Sequence, residues 1–346
     1  MHGAIVAGIG GALAVMVQGI THEGGPGARQ GNVAAEATAE PSGQDLTPAE
    51  LGLDYINSAM RISIPVEVGE AGPFPFVIDT GAERTVISRQ LANRLALGAG
   101  RPVMMTSMVD RSSVATAMLP ELAIGGLPGR RAVEAPMLDR AHLGSDGMIG
   151  IDALRDRKLL IDFDAGRIAV SESAVRDVPR PKYDEVLVQA RSRFGQLIIT
   201  TAYIGRHRIQ VVIDTGAQVS IGNAALMRLI SRDERKALQQ TSIVGVTGAV
   251  APAQYTTVKG IRIDGIQFGR LPVAFANVEP FRYFELNDKP ALLLGLAALK
   301  SFRRVEVDFP NRQIRFRVPP ADPVRQRLNT GSMLRGVRGS SPGRTY

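Results

Sequence analysis

The sequence predicts a mainly β chain built from two copies of one folding unit, and three observations predict it. The hexapeptide Val-Ile-Asp-Thr-Gly-Ala occurs at 77–82 and again at 212–217. Strand-like apolar sequence leads into both copies, and each half closes with a hairpin of the same design.

The elements follow in order. Ile62, Ile64, Val66 and Val68 alternate with Arg61, Ser63, Pro65 and Glu67, the period of a half-buried strand. A turn through Gly69 and Gly72 leads into Phe74 to Ile78. In the second half Leu197 to Ile204 reads as a strand, Gly205 to Arg208 as a hairpin turn, and Ile209 to Ile213 as the returning strand. Asp79 and Asp214 therefore each sit where a buried strand ends. Six residues after each aspartate stands a short hydroxyl side chain, Thr85 or Ser220, followed by apolar residues. Short helical stretches come next, Gln90 to Leu95 and Ala224 to Ile230. Two apolar residues and a glycine then recur as Met148-Ile149-Gly150 and Leu293-Leu294-Gly295, each opening a short helical segment, Asp152 to Arg155 and Ala297 to Lys300. The closing hairpins are Leu159 to Phe163 with Ile168 to Val170, and Val305 to Phe309 with Gln313 to Phe316.

An apolar strand ending in Asp-Thr-Gly-Ala, a hydroxyl six positions later and a following apolar-apolar-Gly resemble the retropepsin-type aspartic proteases in a tandem bacterial form. The resemblance covers about residues 58 to 172 and 192 to 318. It implies an all-β fold of two homologous retropepsin-like β-barrel lobes related by a pseudo-twofold axis, with short helices and pepsin-like bilobal architecture. It also implies an aspartic endopeptidase that hydrolyses an extended polypeptide with a water activated by Asp79 and Asp214, one from each lobe. Two further readings stay open. One is an inactive peptide-binding or scaffold module with the same fold, and the other a protease whose lobes pair between chains.

The chemistry explains the duplication. Peptide hydrolysis needs a base to take a proton from water and an acid to protonate the carbonyl oxygen and then the leaving nitrogen. Two carboxyls about 3 Å apart cannot both ionise easily, so they can share one proton and perform both tasks. Gly81 and Gly216 let backbone N–H groups approach the carboxylates without a Cβ in the way. The hydroxyls of Thr80 and Thr215 can hydrogen-bond across the lobe interface, which in the family locks the two loops together. Ala82 and Ala217 follow the retroviral pattern, where pepsins usually carry Ser or Thr. Thr85 and Ser220 complete the expected support of the dyad.

Such an enzyme needs a cover over its substrate. In the second half Val244, Gly245, Val246, Thr247 and Gly248 resemble a retropepsin flap tip. In the first half Met105 to Val114 has the corresponding spacing, with Asp110, Arg111 and Ser112 expected at a tip without glycine. Asp152 lacks a counterpart, since Ala297 occupies its place, and it is read as structural.

Counting excludes other schemes. The absence of cysteine removes thiol proteases, cysteine-ligated zinc and disulfides. His142 and His207, the histidines outside the N-terminal region, lack metal-site spacing and are read as solvated loop residues. No cofactor and no metal are expected. Of the net charge of +8, +4 lies in 321–346, where five arginines face Asp322. That tail has no interleaved aromatics, so no nucleic-acid partner is expected.

The predicted organisation is an apolar leader (1–22), a flexible linker (23–55), an N-terminal lobe (56–175), a short linker (176–185), a C-terminal lobe (186–319) and a basic tail (320–346). The leader, apolar from Ala4 to Ile20 apart from Gln18, reads as a signal peptide or anchor without a basic n-region. The expected location is periplasmic or secreted, with membrane association through the leader. The expected assembly is a monomer whose lobes form an intramolecular pseudo-dimer, and the expected partner is a polypeptide substrate.

Overall fold

The computed structural model describes residues 14–16, 63–175 and 180–319. The flexible linker, the basic tail and the leader lie outside the described residues, apart from a backbone strand Ala14–Met16 that pairs antiparallel with Gln239–Val244.

Strand Ser63–Val68 buries Ile64, Val66 and Val68 and exposes the intervening residues, as period-two alternation requires. It pairs with Ala71–Ile78 around a turn at Gly69-Glu70, and Gly72 lies in the returning strand. These two strands close a six-stranded barrel with Gly147–Ile149, Val86–Ser88, Leu127–Leu138 and Thr116–Ile124. The strand ending at the aspartate runs parallel to Gly147–Ile149, with Val77 opposite Met148. Val86–Ser88 packs antiparallel on its other side. The second lobe repeats this unit: His207–Ile213 runs parallel to Ala291–Leu294, and Ser220–Gly222 pairs antiparallel with that same strand. There the long barrel strands are broken, at 259–260 between Val250–Val258 and Ile261–Ile263, and at 269–270 between Ile266–Phe268 and Leu271–Phe275. The helices are short, among them Arg89–Arg94, Ile151–Leu154, Ala224–Met227 and Leu296–Leu299.

The closing hairpins join the lobes. Arg157–Asp162 pairs antiparallel with Arg304–Asp308, extending one sheet from Arg167–Glu172 to Glu185–Arg193. Leu160 faces Glu306, while Leu159 faces Val307 and Ile161 faces Val305. Each half thus meets its own counterpart about an approximate twofold axis. Arg304 donates to Asp162 at 2.6 Å along this seam, and Arg303 to Asp164 at 2.6 Å. The aliphatic core of the first lobe continues through this sheet into the second.

The parallel strand beside the first aspartate tolerates little added volume. A Cβ on Gly147 would lie 2.1 Å from the Phe76 ring, which is fully buried. Gly147→Ala should therefore destabilise the protein by about 2–3 kcal/mol, through overpacking in a close-packed interior. Denaturant unfolding with an unchanged m-value would register it as a lower midpoint.

Candidate active site

Each aspartate leaves its strand through a backbone bond to the parallel neighbour: Asp79 N–H donates to Ile149 O at 3.0 Å, and Asp214 N–H to Leu294 O at 3.1 Å. The chain then turns so that two N–H groups point back at the carboxylate. Gly81 and Ala82 donate to Asp79 Oδ1 at 2.8 and 3.1 Å. Gly216 and Ala217 donate to Asp214 Oδ1 at 3.1 and 3.0 Å. The structure brings the two turns together in the middle of the molecule, with both aspartates and both alanines buried.

The threonines tie the turns reciprocally. Thr80 Oγ1 donates to Ile213 O at 2.8 Å and accepts from Thr215 N–H at 3.1 Å. Thr215 Oγ1 donates to Ile78 O at 2.8 Å and accepts from Thr80 N–H at 3.0 Å. All four bonds cross between the lobes within one chain.

The glycines serve a purpose the sequence did not disclose. A Cβ on Gly81 would lie 2.9 Å from Asp214 Cγ, and one on Gly216 would lie 2.3 Å from Asp79 Cγ. Each glycine therefore makes room for the carboxyl of the opposite lobe. Burial pushes the Asp79 carboxyl well above the usual carboxylate range, and the charge of Asp214 raises it further. Burial also pushes Asp214 up to about 6, against the N–H groups of Ala217 and Gly216 and the proximity of Asp79, which favour its anion. Both carboxyls thus resist ionisation, and the pair shares a raised proton affinity.

Thr85 and Ser220 act one layer out from the carboxyls they were expected to support. Thr85 Oγ1 accepts from Gly150 N–H at 3.2 Å, and Ser220 Oγ from Gly295 N–H at 3.1 Å. They hold the apolar-apolar-Gly segments against the aspartate turns, where a Cβ on Gly150 would collide with Arg84 backbone at 2.4 Å. Asp152 Oδ1 accepts from Thr85 N–H at 2.9 Å and Thr85 Oγ1 at 2.8 Å, which is a brace found in the first lobe.

The first-lobe hairpin expected to serve as a flap has its tip elsewhere than expected. Val103–Thr106 and Arg111–Val114 form the hairpin, so Arg111 and Ser112 belong to its returning strand and the tip is Ser107-Met108-Val109-Asp110. Side chains close this turn in place of a glycine: the Ser107 hydroxyl donates to Asp110 Oδ1, and Ser107 N–H donates to Asp110 O at 2.8 Å. In the second lobe the tip lies where expected, with Gly245 to Gly248 between Gln239–Val244 and Val250–Val258.

Each tip reaches into the opposite lobe. Met108 is fully buried among Val212, Val219, Ile243 and Phe281 of the second lobe. Val246 is fully buried among Ala82, Val86, Leu143 and Met148 of the first. Thr247 Oγ1 donates to Asp110 Oδ1 at 2.8 Å, joining the tips. The ring of His142, on helix Arg140–Leu143, lies against Gly248, where a Cβ would be 2.4 Å from its Cε1. His142 is exposed yet seated on the second-lobe hairpin tip, and His207 begins an exposed strand end. Sequence reasoning missed Met108, which looks like any apolar loop residue. It also missed Glu83, the half-buried neighbour of the first turn, whose carboxylate accepts from Tyr283 of the second lobe at 3.3 Å. Among the described residues no cluster of three or more His, Asp or Glu could hold a metal ion.

This geometry can be set against known proteins. The family model described as "Aspartyl protease" matches residues 64–153 and 200–298, both copies of the unit and more than half of the chain. The chain belongs to the aspartyl protease family. A retropepsin-like aspartic protease from Rickettsia conorii aligns at 17% identity over 41% of this chain and 96% of its own, with a TM-score of 0.26. The aspartic proteinase from Irpex lacteus aligns at 10% identity over 75% of this chain and 93% of its own, with a TM-score of 0.39. Basic 7S globulin from soybean aligns at 10% identity over 74% and 90%, with a TM-score of 0.37. A search of the curated proteins found no match.

In this aspartyl protease the raised carboxyls make stability depend on pH. Both hold their protons more tightly folded than unfolded, where each titrates near 3.8. Their stabilisation is complete below about pH 3.8 and is lost as pH rises through the folded values, about 6 for Asp214. Asp162 and Asp184, lowered by their hydrogen-bond and arginine partners, act in the opposite sense but below their ordinary value of 3.8. The thermal midpoint should therefore fall as pH rises from about 4 to 7. In calorimetry Asp79→Asn should flatten that fall.

Proposed function

We propose that this aspartyl protease is an endopeptidase that cleaves an extended polypeptide with a water held between Asp79 and Asp214. The observation that carries this reading is the meeting of two buried carboxyls of one chain, each against the other lobe's glycine and with raised proton affinity. The ionised Asp214 takes a proton from the water as it attacks the scissile carbonyl carbon. The protonated Asp79 gives its proton to the carbonyl oxygen. Collapse of the tetrahedral intermediate breaks the C–N bond, the nitrogen takes the proton held by Asp214, and Asp79 recovers the one on the oxygen.

The hairpin tips support an extended substrate. Met108 and Val246 are each buried in the opposite lobe. A peptide lying as a strand beneath the hairpins would have its flanking side chains beside these residues and its backbone against the hairpin edges. The reciprocal threonine bonds within one chain favour a monomeric enzyme over one that pairs lobes between chains. The apolar N-terminal stretch supports a periplasmic or secreted location, attached to a membrane or released. Among the described residues no helix is long and apolar enough to cross a membrane.

Asp79→Asn and Asp214→Asn should each lower cleavage of a peptide library by at least about 10³-fold while leaving the fold intact. Equal cleavage by either variant would overturn the assignment. Activity needs the pair singly protonated, so it should rise as Asp214 ionises, placing the acid limb of kcat/KM near pH 6. A rate profile with its maximum below about pH 4 would contradict this arrangement.

A further inference from the structure

Gln196 opens the strand Gln196–Ile204 of the second lobe, and its side chain is fully buried. Its Nε2 donates at 2.9 Å to Gly81 O, in the catalytic turn of the first lobe. Its Oε1 is buried without a hydrogen-bond partner among the described residues. The opposite amide orientation would set oxygen against the Gly81 carbonyl, so the contact itself selects the donor. A buried amide with one end unsatisfied is a poor choice for stability, and calls for another reason.

The reason lies in the peptide that Gln196 touches. Gly81 C=O and Ala82 N–H belong to the same peptide group. The carbonyl end accepts from Gln196, and the N–H end donates to Asp79 Oδ1 at 3.1 Å. An amide whose oxygen accepts a hydrogen bond becomes a stronger donor at its nitrogen. We propose that Gln196 is a positioning residue which, through the Gly81–Ala82 peptide, holds and polarises the N–H that Ala82 presents to Asp79, so that the second lobe sets the proton affinity of the first lobe's carboxyl. The inference rests on the protease reading above and deepens it.

The surroundings fix Gln196 in that place. The turn before it, Phe194-Gly195, has positive φ at both residues, 52° and 90°. A Cβ on Gly195 would lie 2.8 Å from Ile151 of the first lobe, so the turn is pressed against the segment following Gly150. On the other side Phe194 packs on Tyr283 with ring centroids 4.5 Å apart, and Arg193 bonds Phe284 O at 2.6 Å and pairs with Glu285. The ionisable groups around the catalytic turn are Asp214 across the interface, Glu83 and Arg84 on the same chain segment, Asp152 and Arg155 behind it, and Tyr283 beside Glu83. Asp214 is the one whose charge raises Asp79, and Gln196 adds a neutral dipole acting in the opposite sense. The equivalent position in the first repeat is Arg61, outside the described residues.

Gln196→Met keeps the length of the side chain and removes the donor. With the proton of the singly protonated pair on Asp79, as in the mechanism proposed above, losing the donor should raise the pair's upper apparent pKa and leave its lower one in place. The alkaline limb of kcat/KM should move up by on the order of 0.3 pH unit, with kcat falling roughly twofold and the acid limb unmoved. Gln196→Glu retains a donor only while protonated, so it should match the wild type on the acid side of the profile and lose activity as its carboxyl ionises. Carbon-13 NMR titration of labelled aspartates in wild type and Gln196→Met follows the same shift without any substrate. Both limbs unmoved in the Met variant, both limbs moved together, or acid-side activity of the Glu variant as low as that of the Met variant would each overturn the proposal. An inactive wild type whose NMR titration still shifts in the Met variant would instead sink the protease reading and leave the coupling standing.

Discussion

Two carboxyl groups buried face to face are the constraint around which this molecule is organised. Burial and mutual repulsion both oppose their ionisation, so a chain that holds them together must supply compensating donors and rigid placement. The donors are backbone N–H groups from each carboxyl's own turn, and the placement comes from the threonines of the opposite turn. Neither lobe can complete this alone, because each threonine hydroxyl donates to the other strand's last carbonyl. The glycines express the same constraint in steric form, since any side chain there would occupy the space of the partner carboxyl.

The remainder of the fold keeps those turns in register. Parallel strands Gly147–Ile149 and Ala291–Leu294 fix the backbone entering each aspartate, and the hydroxyls of Thr85 and Ser220 fix the glycine that follows each strand. The seam of Arg157–Asp162 with Arg304–Asp308 holds the lobes at their base, through paired backbones and partly exposed ion pairs that add little individually. The two hairpin tips exchange apolar residues between the lobes, Met108 for Val246. Symmetry is strongest at the carboxyls and weakens outward: Ala297 stands where the first repeat has Asp152, and the serine–aspartate turn of one tip corresponds to the glycine turn of the other.

Much of the architecture was legible in the sequence because its signals are local. The duplicated hexapeptide located both aspartates, period-two burial identified Ser63–Val68, and the recurrent apolar-apolar-Gly marked the strands beside the turns. The first flap tip was misplaced by a few residues, because a turn closed by Ser107 and Asp110 side chains carries no glycine to announce it. Gln196 left no trace, since its effect depends on a carbonyl 115 residues earlier.

By itself the sequence determined where the two aspartate turns lie, since a strand ending in Asp-Thr-Gly-Ala prescribes its own backbone donors within three positions. Only the tertiary structure decided that both carboxyls are buried against each other, what the glycines make room for, and which side chains cross between lobes. Those properties depend on distances between segments far apart in the chain, and burial and electrostatics are set by such neighbours rather than by sequence order.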